Sequence, residues 1–188
     1  MMKKVTFVLA ALSVLGVAGT ASAQSRIPLS VEIRGDAAIP TGDFADSFEN
    51  GIGFTGSAAL QLVPGFGVYG SYSRTNLSID GADDDVLDQG FAAGLTASLG
   101  GGAGRATPYV GAGLLFHELE VGGTEVGDAK MGFEVGAGIA IPLGQRIRVT
   151  PAVGYRQYNI EGLSLGGVVN TDMNVSYLNA GVGLNIAF

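Results

Sequence analysis

From residue 29 to the last residue, apolar residues alternate with polar or small residues, and this alternation recurs in eight segments. A period of two is typical of β-strands that present one face to an apolar environment. The pattern predicts strands at residues 29–39, 52–62, 66–72, 91–99, 107–119, 130–141, 147–158 and 177–188.

The fifth segment is ambiguous, because both of its faces carry apolar residues. We assign one face of it to lipid and the other to the interior. The predicted lipid-facing residues are Val110, Ala112, Leu114 and Phe116, and the predicted interior residues are Tyr109, Gly111, Gly113, Leu115 and His117.

The connections between the predicted strands alternate in length. The short ones are Pro64-Gly65 and residues 100–106 and 143–146, whereas the long, polar ones are residues 40–51, 78–88, 120–129 and 160–172. Short turns at one end and longer loops at the other are typical of β-barrels that span a membrane. The chain is therefore predicted to be all-β, an eight-stranded antiparallel up-and-down transmembrane barrel.

The first residues predict export. Lys3 and Lys4 precede an apolar run at residues 5–19, and Ala21-Ser22-Ala23 has the small-x-small pattern of a signal-peptidase site. The apolar run is shorter than the roughly 20 residues of a membrane-spanning helix. We expect residues 1–23 to be a cleaved signal peptide and residues 24–188 to form the barrel domain, without cysteine and hence without disulfides.

Composition decides which face of the strands points outwards. Charged residues make up only 14% of the chain, against about 25% in a soluble domain. A soluble barrel with an apolar lumen would need Lys and Glu on its outer face, but the non-apolar face is mostly Gly, Ser, Thr and Ala. We therefore expect the apolar face to meet lipid. The 32 glycines fit an interior that is just wide enough for side chains.

Six charged residues fall on the predicted lumen face, namely Glu32, Arg34, Asp36, Glu134, Arg148 and Arg156. The turn near Gly144-Gln145 places Glu134 opposite Arg156, so we predict a cross-strand ion pair. We interpret these charges as a structural cluster, since a buried charge without a partner is too costly. A gated polar pathway is the alternative.

His117 is the only histidine and would have to serve as the base in any histidine-dependent nucleophilic mechanism. No serine stands in a recognisable catalytic motif, although a His-Ser-acid site can assemble in space from distant residues. Zinc and phosphate-loop spacings are absent from the sequence. We predict no enzymatic activity, no metal and no cofactor.

The long loops are predicted to contain most of the 17 acidic residues, all at one end of the barrel, namely Asp43, Asp46, Glu49, Asp80, Asp83, Asp84, Asp85, Asp88, Glu118, Glu120, Glu125, Asp128, Glu161 and Asp172. Asp83, Asp84 and Asp85 could hold Ca²⁺, but their spacing is not that of an EF-hand, and we interpret them as a solvated acidic loop. The net charge of −7 becomes about −9 without the two leader lysines, which argues against a nucleic-acid partner.

The mature chain resembles the outer-membrane β-barrel domain family that includes the OmpX, OmpA-barrel and opacity-type proteins. The resemblance rests on the glycine-rich segments 107–113 and 132–138 and on the final residues 184–188. The last of these, an alternating apolar segment ending in Phe188, resembles the signal read by the barrel-insertion machinery. The resemblance implies location in the cell outer membrane, contact with its lipid and with that machinery, and roles that range from adhesion to membrane integrity.

Three functions follow as hypotheses. We favour a monomeric, non-enzymatic barrel with a structural or surface-interaction role, acidic extracellular loops, an unknown extracellular ligand and a lumen too packed to conduct. The second is a narrow OmpW-like channel for small apolar molecules. The third is a lipid-modifying outer-membrane hydrolase or acyltransferase, which would depend on His117.

Overall fold

The computed structural model describes residues 28–46, 48–78, 85–100, 105–121, 124–125, 129–165 and 168–188. The predicted signal peptide lies outside the described residues, as do Asp83 and Asp84 of the acidic loop. Among the described residues, no helix is long and apolar enough to cross a membrane.

Eight long strands form the molecule. They are β1 Leu29–Pro40, β2 Gly51–Val63, β3 Phe66–Ser78, β4 Asp85–Ser98, β5 Thr107–Val121, β6 Lys130–Pro142, β7 Ile147–Leu165 and β8 Val168–Ala187. Each pairs antiparallel with the next, and β8 pairs with β1, so the sheet closes. A two-residue strand, Thr124–Glu125, pairs antiparallel with the end of β5, and a 3-10 helix, Gly42–Asp46, follows β1. The predicted eight-stranded up-and-down barrel is confirmed.

The stagger of the strands follows from their register. A path that starts at Ser30 and steps from each residue to its cross-strand partner goes once around the barrel. It passes Glu134, Arg156 and Tyr177 and returns to β1 at Pro40, ten residues beyond Ser30. A barrel of eight staggered strands has an interior that side chains can fill. Glycines allow that filling, because a Cβ at Gly113 would lie 2.6 Å from the Tyr69 hydroxyl and one at Gly138 would lie 2.6 Å from that of Tyr109.

We call the end with the short connections the turn end and the opposite end the loop end. At the turn end, Pro64-Gly65 joins β2 to β3 with Gly65 at φ 84°, and residues 143–146 join β6 to β7. The predicted faces of all eight strands are confirmed, including those of β5. Leu114 is 53% exposed on the outside, whereas Leu115 is 0% exposed on the inside.

The strands run further towards the loop end than predicted. Residues 78–88 and 160–172 were expected to be loops, but β4 begins at Asp85, and β7 and β8 together occupy all of residues 147–187 except 166–167. In these extensions the alternation has the opposite sign: Leu77, Val86 and Ile160 point inwards, while the outward positions, apart from Leu87, carry mostly polar residues. Outward apolar residues therefore mark mainly the part of each strand nearer the turn end.

The buried apolar core lies at the loop end and consists of Ala38, Phe44, Leu77, Val86, Ala92, Leu115, Leu119, Tyr158, Ile160, Val175 and Tyr177. The 3-10 helix contributes Phe44, whose ring stacks on Phe48 with centroids 4.3 Å apart. The Thr41 amide donates to the Ser176 carbonyl over 2.9 Å. These contacts hold the first loop against the end of the barrel.

The β6–β7 ladder is interrupted once. Its pairs run from Gly132↔Tyr158 to Gly138↔Ala152 and resume at Ile141↔Val149, so the two rungs around Pro151 are missing. Proline has no N–H to donate to a ladder, which explains the gap.

Candidate functional site: the barrel lumen

The lumen has two dissimilar halves. The turn-end half holds a cavity of about 1170 Å³ that opens between the short turns, and we call it the turn-end cavity. The loop-end half is filled by the buried core and by a hydrogen-bonded network beneath it. The turn-end half is not filled, because the small residues there leave space that no larger side chain occupies, so the predicted block to conduction depends on the loop-end half.

Glu32, Arg34 and Asp36 lie in a row on the inner face of β1, as their spacing of two requires. Arg34 Nε donates to Asp36 Oδ1 over 2.7 Å, and its Nη1 lies 3.7 Å from Glu32 Oε1. Two threonines from neighbouring strands complete the set, with Thr55 donating to Asp36 over 2.8 Å and Thr150 to Glu32 over 2.9 Å.

The predicted ion pair between Glu134 and Arg156 is present. The two residues are direct cross-strand partners on β6 and β7, with Arg156 Nε 3.0 Å from Glu134 Oε2. The Tyr69 hydroxyl crosses the lumen and donates to Glu134 Oε1 over 2.7 Å. Of the other predicted cluster residues, Arg148 stands apart, because its side chain is exposed near the turn end.

Arg156 also reaches towards the loop end. Its Nη1 donates to Ser73 Oγ over 2.9 Å and to the Tyr177 hydroxyl over 3.5 Å. Tyr177 donates in turn to Asp88 Oδ2 over 2.7 Å. One buried guanidinium therefore links the Glu134 pair to a second carboxylate deeper in the barrel.

Asp88 is the centre of this second group. Its carboxylate accepts from Tyr177, from Tyr158 over 3.0 Å and from His117 Nδ1 over 2.8 Å, and its side chain is 0% exposed. Counting Asp88 with the loop acids was wrong, because it lies in β4 on the inner face. Six further acids counted with the loops also lie in strands: Asp85 in β4, Glu118 and Glu120 in β5, Glu125 in the two-residue strand, Glu161 in β7 and Asp172 in β8. We call Ser73, Asp88, His117, Arg156, Tyr158 and Tyr177 the Asp88 network.

Within the Asp88 network, Ser73, His117 and Asp88 have the contacts of a nucleophile, a base and an orienting acid. Because His117 Nδ1 faces a carboxylate, it donates, and Nε2 is free to accept from Ser73 Oγ at 3.3 Å. The Ser73 hydroxyl is not accessible to a substrate. Ser73 is 2% exposed, Arg156 occupies the other side of its hydroxyl, and the turn-end cavity reaches its neighbours Thr55 and Ser71 but not Ser73.

Ser73, Asp88, Tyr158 and Tyr177 were not singled out in the sequence. Two signals could have found them: all four have the inward parity of their strands, and pairing the strands in register puts Ser73 beside Gly90 and Gly90 beside His117. Phe188 lies where expected, at the turn end, with its amide donating to the Leu29 carbonyl over 2.8 Å and its ring exposed on the outside.

The barrel is closed, with an apolar outer face and a polar interior. Its outer face also carries aromatic residues such as Tyr72 and Phe91, whose ring centroids are 5.1 Å apart. Together these features define an integral outer-membrane barrel protein. The chain belongs to the outer membrane protein beta-barrel domain family, whose model matches residues 7–188. Membership gives a bacterial outer-membrane location. No curated protein matches the sequence.

Solved structures share the fold at low sequence identity. Neisserial surface protein A is 17% identical with a TM-score of 0.68, over 85% of this chain and 97% of its own. Ail of Yersinia pestis, in complex with the heparin analogue sucrose octasulfate, is 17% identical with a TM-score of 0.53, over 85% and 98%. OprG of Pseudomonas aeruginosa is 14% identical with a TM-score of 0.57, over 85% and 95%.

Proposed function

We propose that this protein is a sealed, non-enzymatic barrel that acts through contacts at its extracellular surface. In outer-membrane barrels the short turns face the periplasm, so the loop end is extracellular. The observation that carries the proposal is the filled loop-end half of the lumen, where the buried core and the Asp88 network lie between the turn-end cavity and the outside. The described residues there leave no open path for a solute, which favours the outer surface as the place of action.

The first extracellular loop supports a surface role. Phe44 and the Thr41–Ser176 hydrogen bonds fix the loop to the barrel, while Asp43, Asp46 and Glu49 remain exposed on it. A fixed acidic surface presents its charges to a partner at a small entropic cost.

Planar-bilayer recording tests the seal. We expect no discrete conductance steps from the purified barrel, because ions would have to cross the Asp88 network. Wild-type channels that open in steps at low voltage would refute the proposal. The single variant Asp88→Ala provides a positive comparison, since it removes the centre of that network and should increase leakage.

A second candidate is lateral passage of small apolar molecules between the turn-end cavity and the bilayer. The missing rungs around Pro151 favour it, because the flanking residues Ala140, Thr150 and Ala152 line the cavity. Liposome uptake of a small apolar dye tests this candidate. Uptake that falls in Pro151→Val would support lateral passage, and equal uptake in liposomes without protein would remove it.

We also propose that the last strand carries the assembly signal read by the barrel-insertion machinery. Phe188 continues the outward row of Leu184 and Ile186 to the periplasmic rim. Deletion of Phe188 should lower outer-membrane levels several-fold, while Phe188→Tyr, which keeps the terminal aromatic ring, should restore them. Normal levels of the deletion variant, measured by membrane fractionation, would count against the signal.

A further inference from the structure

The mouth of the turn-end cavity carries positive charge. Four arginines line it, Arg34, Arg105, Arg148 and Arg156, but only two acids, Glu32 and Glu134. Arg34 is paired with Asp36 and Arg156 with Glu134, while Glu32 lies 3.7 Å from Arg34, so about one positive charge is in excess. It belongs to Arg105 and Arg148, which are exposed at the mouth. The three short turns contain no Asp or Glu. A narrow opening with low-dielectric walls concentrates this field and attracts anions.

Two unpaired acceptors lie deeper in the same cavity. Asn179 Oδ1 and Asn185 Oδ1 are both covered from solvent and have no hydrogen-bond partner, and Asn179 is only 6% exposed. Both residues line the cavity. A buried acceptor without a donor carries a desolvation cost, so turning either amide towards the cavity to accept from a ligand hydroxyl would remove that cost.

The positions of these residues set the length of such a ligand. Arg148 and Asn185 are direct cross-strand partners on β7 and β8. An acidic group on Arg148 would therefore place its neighbouring hydroxyls beside Asn185. Asn179 lies six residues further along β8, which corresponds to about 20 Å of strand. The row of Arg148, Asn185 and Asn179, from the mouth to the interior, suits an extended oligosaccharide chain better than a single sugar ring.

We propose that the turn-end cavity binds a short acidic oligosaccharide of about trisaccharide length that enters from the periplasmic side. Its carboxylates contact Arg105 and Arg148 at the mouth, and its hydroxyls donate to Asn185 and then to Asn179. The cavity of about 1170 Å³ has room for it, since binding pockets for small molecules usually occupy about 300–1000 Å³. The site is separate from the extracellular role, so either can fail alone.

Isothermal titration of the purified barrel in detergent micelles with trigalacturonate tests the proposal. We expect saturable binding of trigalacturonate, with maltotriose, which has similar length and hydroxyls but no charge, binding at least about tenfold more weakly. The double variant Arg105→Gln/Arg148→Gln should weaken trigalacturonate by at least about tenfold. Arg146→Gln is its control, because Arg146 is exposed at the same end but does not line the cavity.

A second pair of variants tests the interior of the site. Asn179→Ala should weaken trigalacturonate several-fold but leave monomeric galacturonate unaffected, whereas Asn174→Ala, on the same strand but exposed, should change neither. Retained heat-modifiable migration shows that each variant is folded. No saturable heat with wild type, equal affinity for maltotriose, or an unchanged affinity in either Arg105→Gln/Arg148→Gln or Asn179→Ala would overturn the proposal.

Discussion

On the outside of the turn-end half, β4 presents Leu95, whereas six residues away on the same face the loop-end half presents Gln89. Gln89 is part of a polar outer surface, because its amide donates to Glu118 over 3.1 Å and to Glu120 over 3.4 Å. The interior changes in the opposite direction, from the polar wall around Glu134 to the buried Leu77 and Leu115.

The difference shows where the bilayer ends. In lipid the outer face must be apolar, and a polar interior is tolerated where water enters. Beyond the lipid the outer face meets water, so the strands follow the rule of a soluble protein and bury their apolar residues inside. One set of eight strands therefore obeys both rules, with an apolar outer face at the turn end and buried apolar residues at the loop end.

The largest expected effect concerns the Asp88 network, on which the closed half depends. Asp88→Ala removes a buried carboxylate and leaves the donors of His117, Tyr158 and Tyr177 without their acceptor. We expect the free energy of unfolding in micelles to fall by about 3–5 kcal/mol. Asp43→Ala, in the exposed loop, should change it by no more than about 0.5 kcal/mol. Similar losses in the two variants would contradict the role of the network.

An arginine introduced separately at Leu95 and at Gln89 can locate the boundary between the two halves. Leu95→Arg puts a charge where the side chain is 66% exposed on the lipid face, and it should cost about 2–4 kcal/mol of folding free energy in lipid. Gln89→Arg, beside Glu118 and Glu120, should cost no more than about 1 kcal/mol. Urea titration of both variants in vesicles measures the difference. Equal costs would mean that the lipid extends over both positions.

His117 distinguishes a structural from a catalytic use of the same contacts. His117→Ala should lower the free energy of unfolding by about 1–3 kcal/mol, because Asp88 loses one of three donors. A fluorophosphonate probe should not label Ser73 in wild type, since Ser73 lies beyond the end of the turn-end cavity. Labelling that disappears in both Ser73→Ala and His117→Ala would instead establish an active serine.

The fold was largely predictable because strand parity is a local property. The apolar row of Leu95 and Phe91 identifies the outer face of β4 without knowledge of its neighbours. The Glu134–Arg156 pair was predictable for the same reason, since a short turn fixes which residues of β6 and β7 meet. Both depend on positions that are close along the chain.

The rest of the site depends on information that is not local. Asp88 meets Tyr177 only because the barrel closes with a particular stagger, and the two residues are 89 positions apart. The position of Asp88 beside an acidic stretch favoured a loop, and nothing in β4 alone shows where the bilayer ends. The turn-end cavity is a volume left between side chains from opposite walls, so it follows from the closed barrel and not from any one strand.

Single-cysteine labelling tests most directly whether the lumen is open at one end and closed at the other, because the chain contains no cysteine of its own. Ser71 and Thr75 lie on the same face of β3, and Ser71 lines the turn-end cavity while Thr75 is buried in the loop-end half. With a water-soluble maleimide in micelles, Ser71→Cys should react readily and Thr75→Cys should stay unlabelled until the protein is denatured. Equal rates at the two positions in the folded protein would contradict the account.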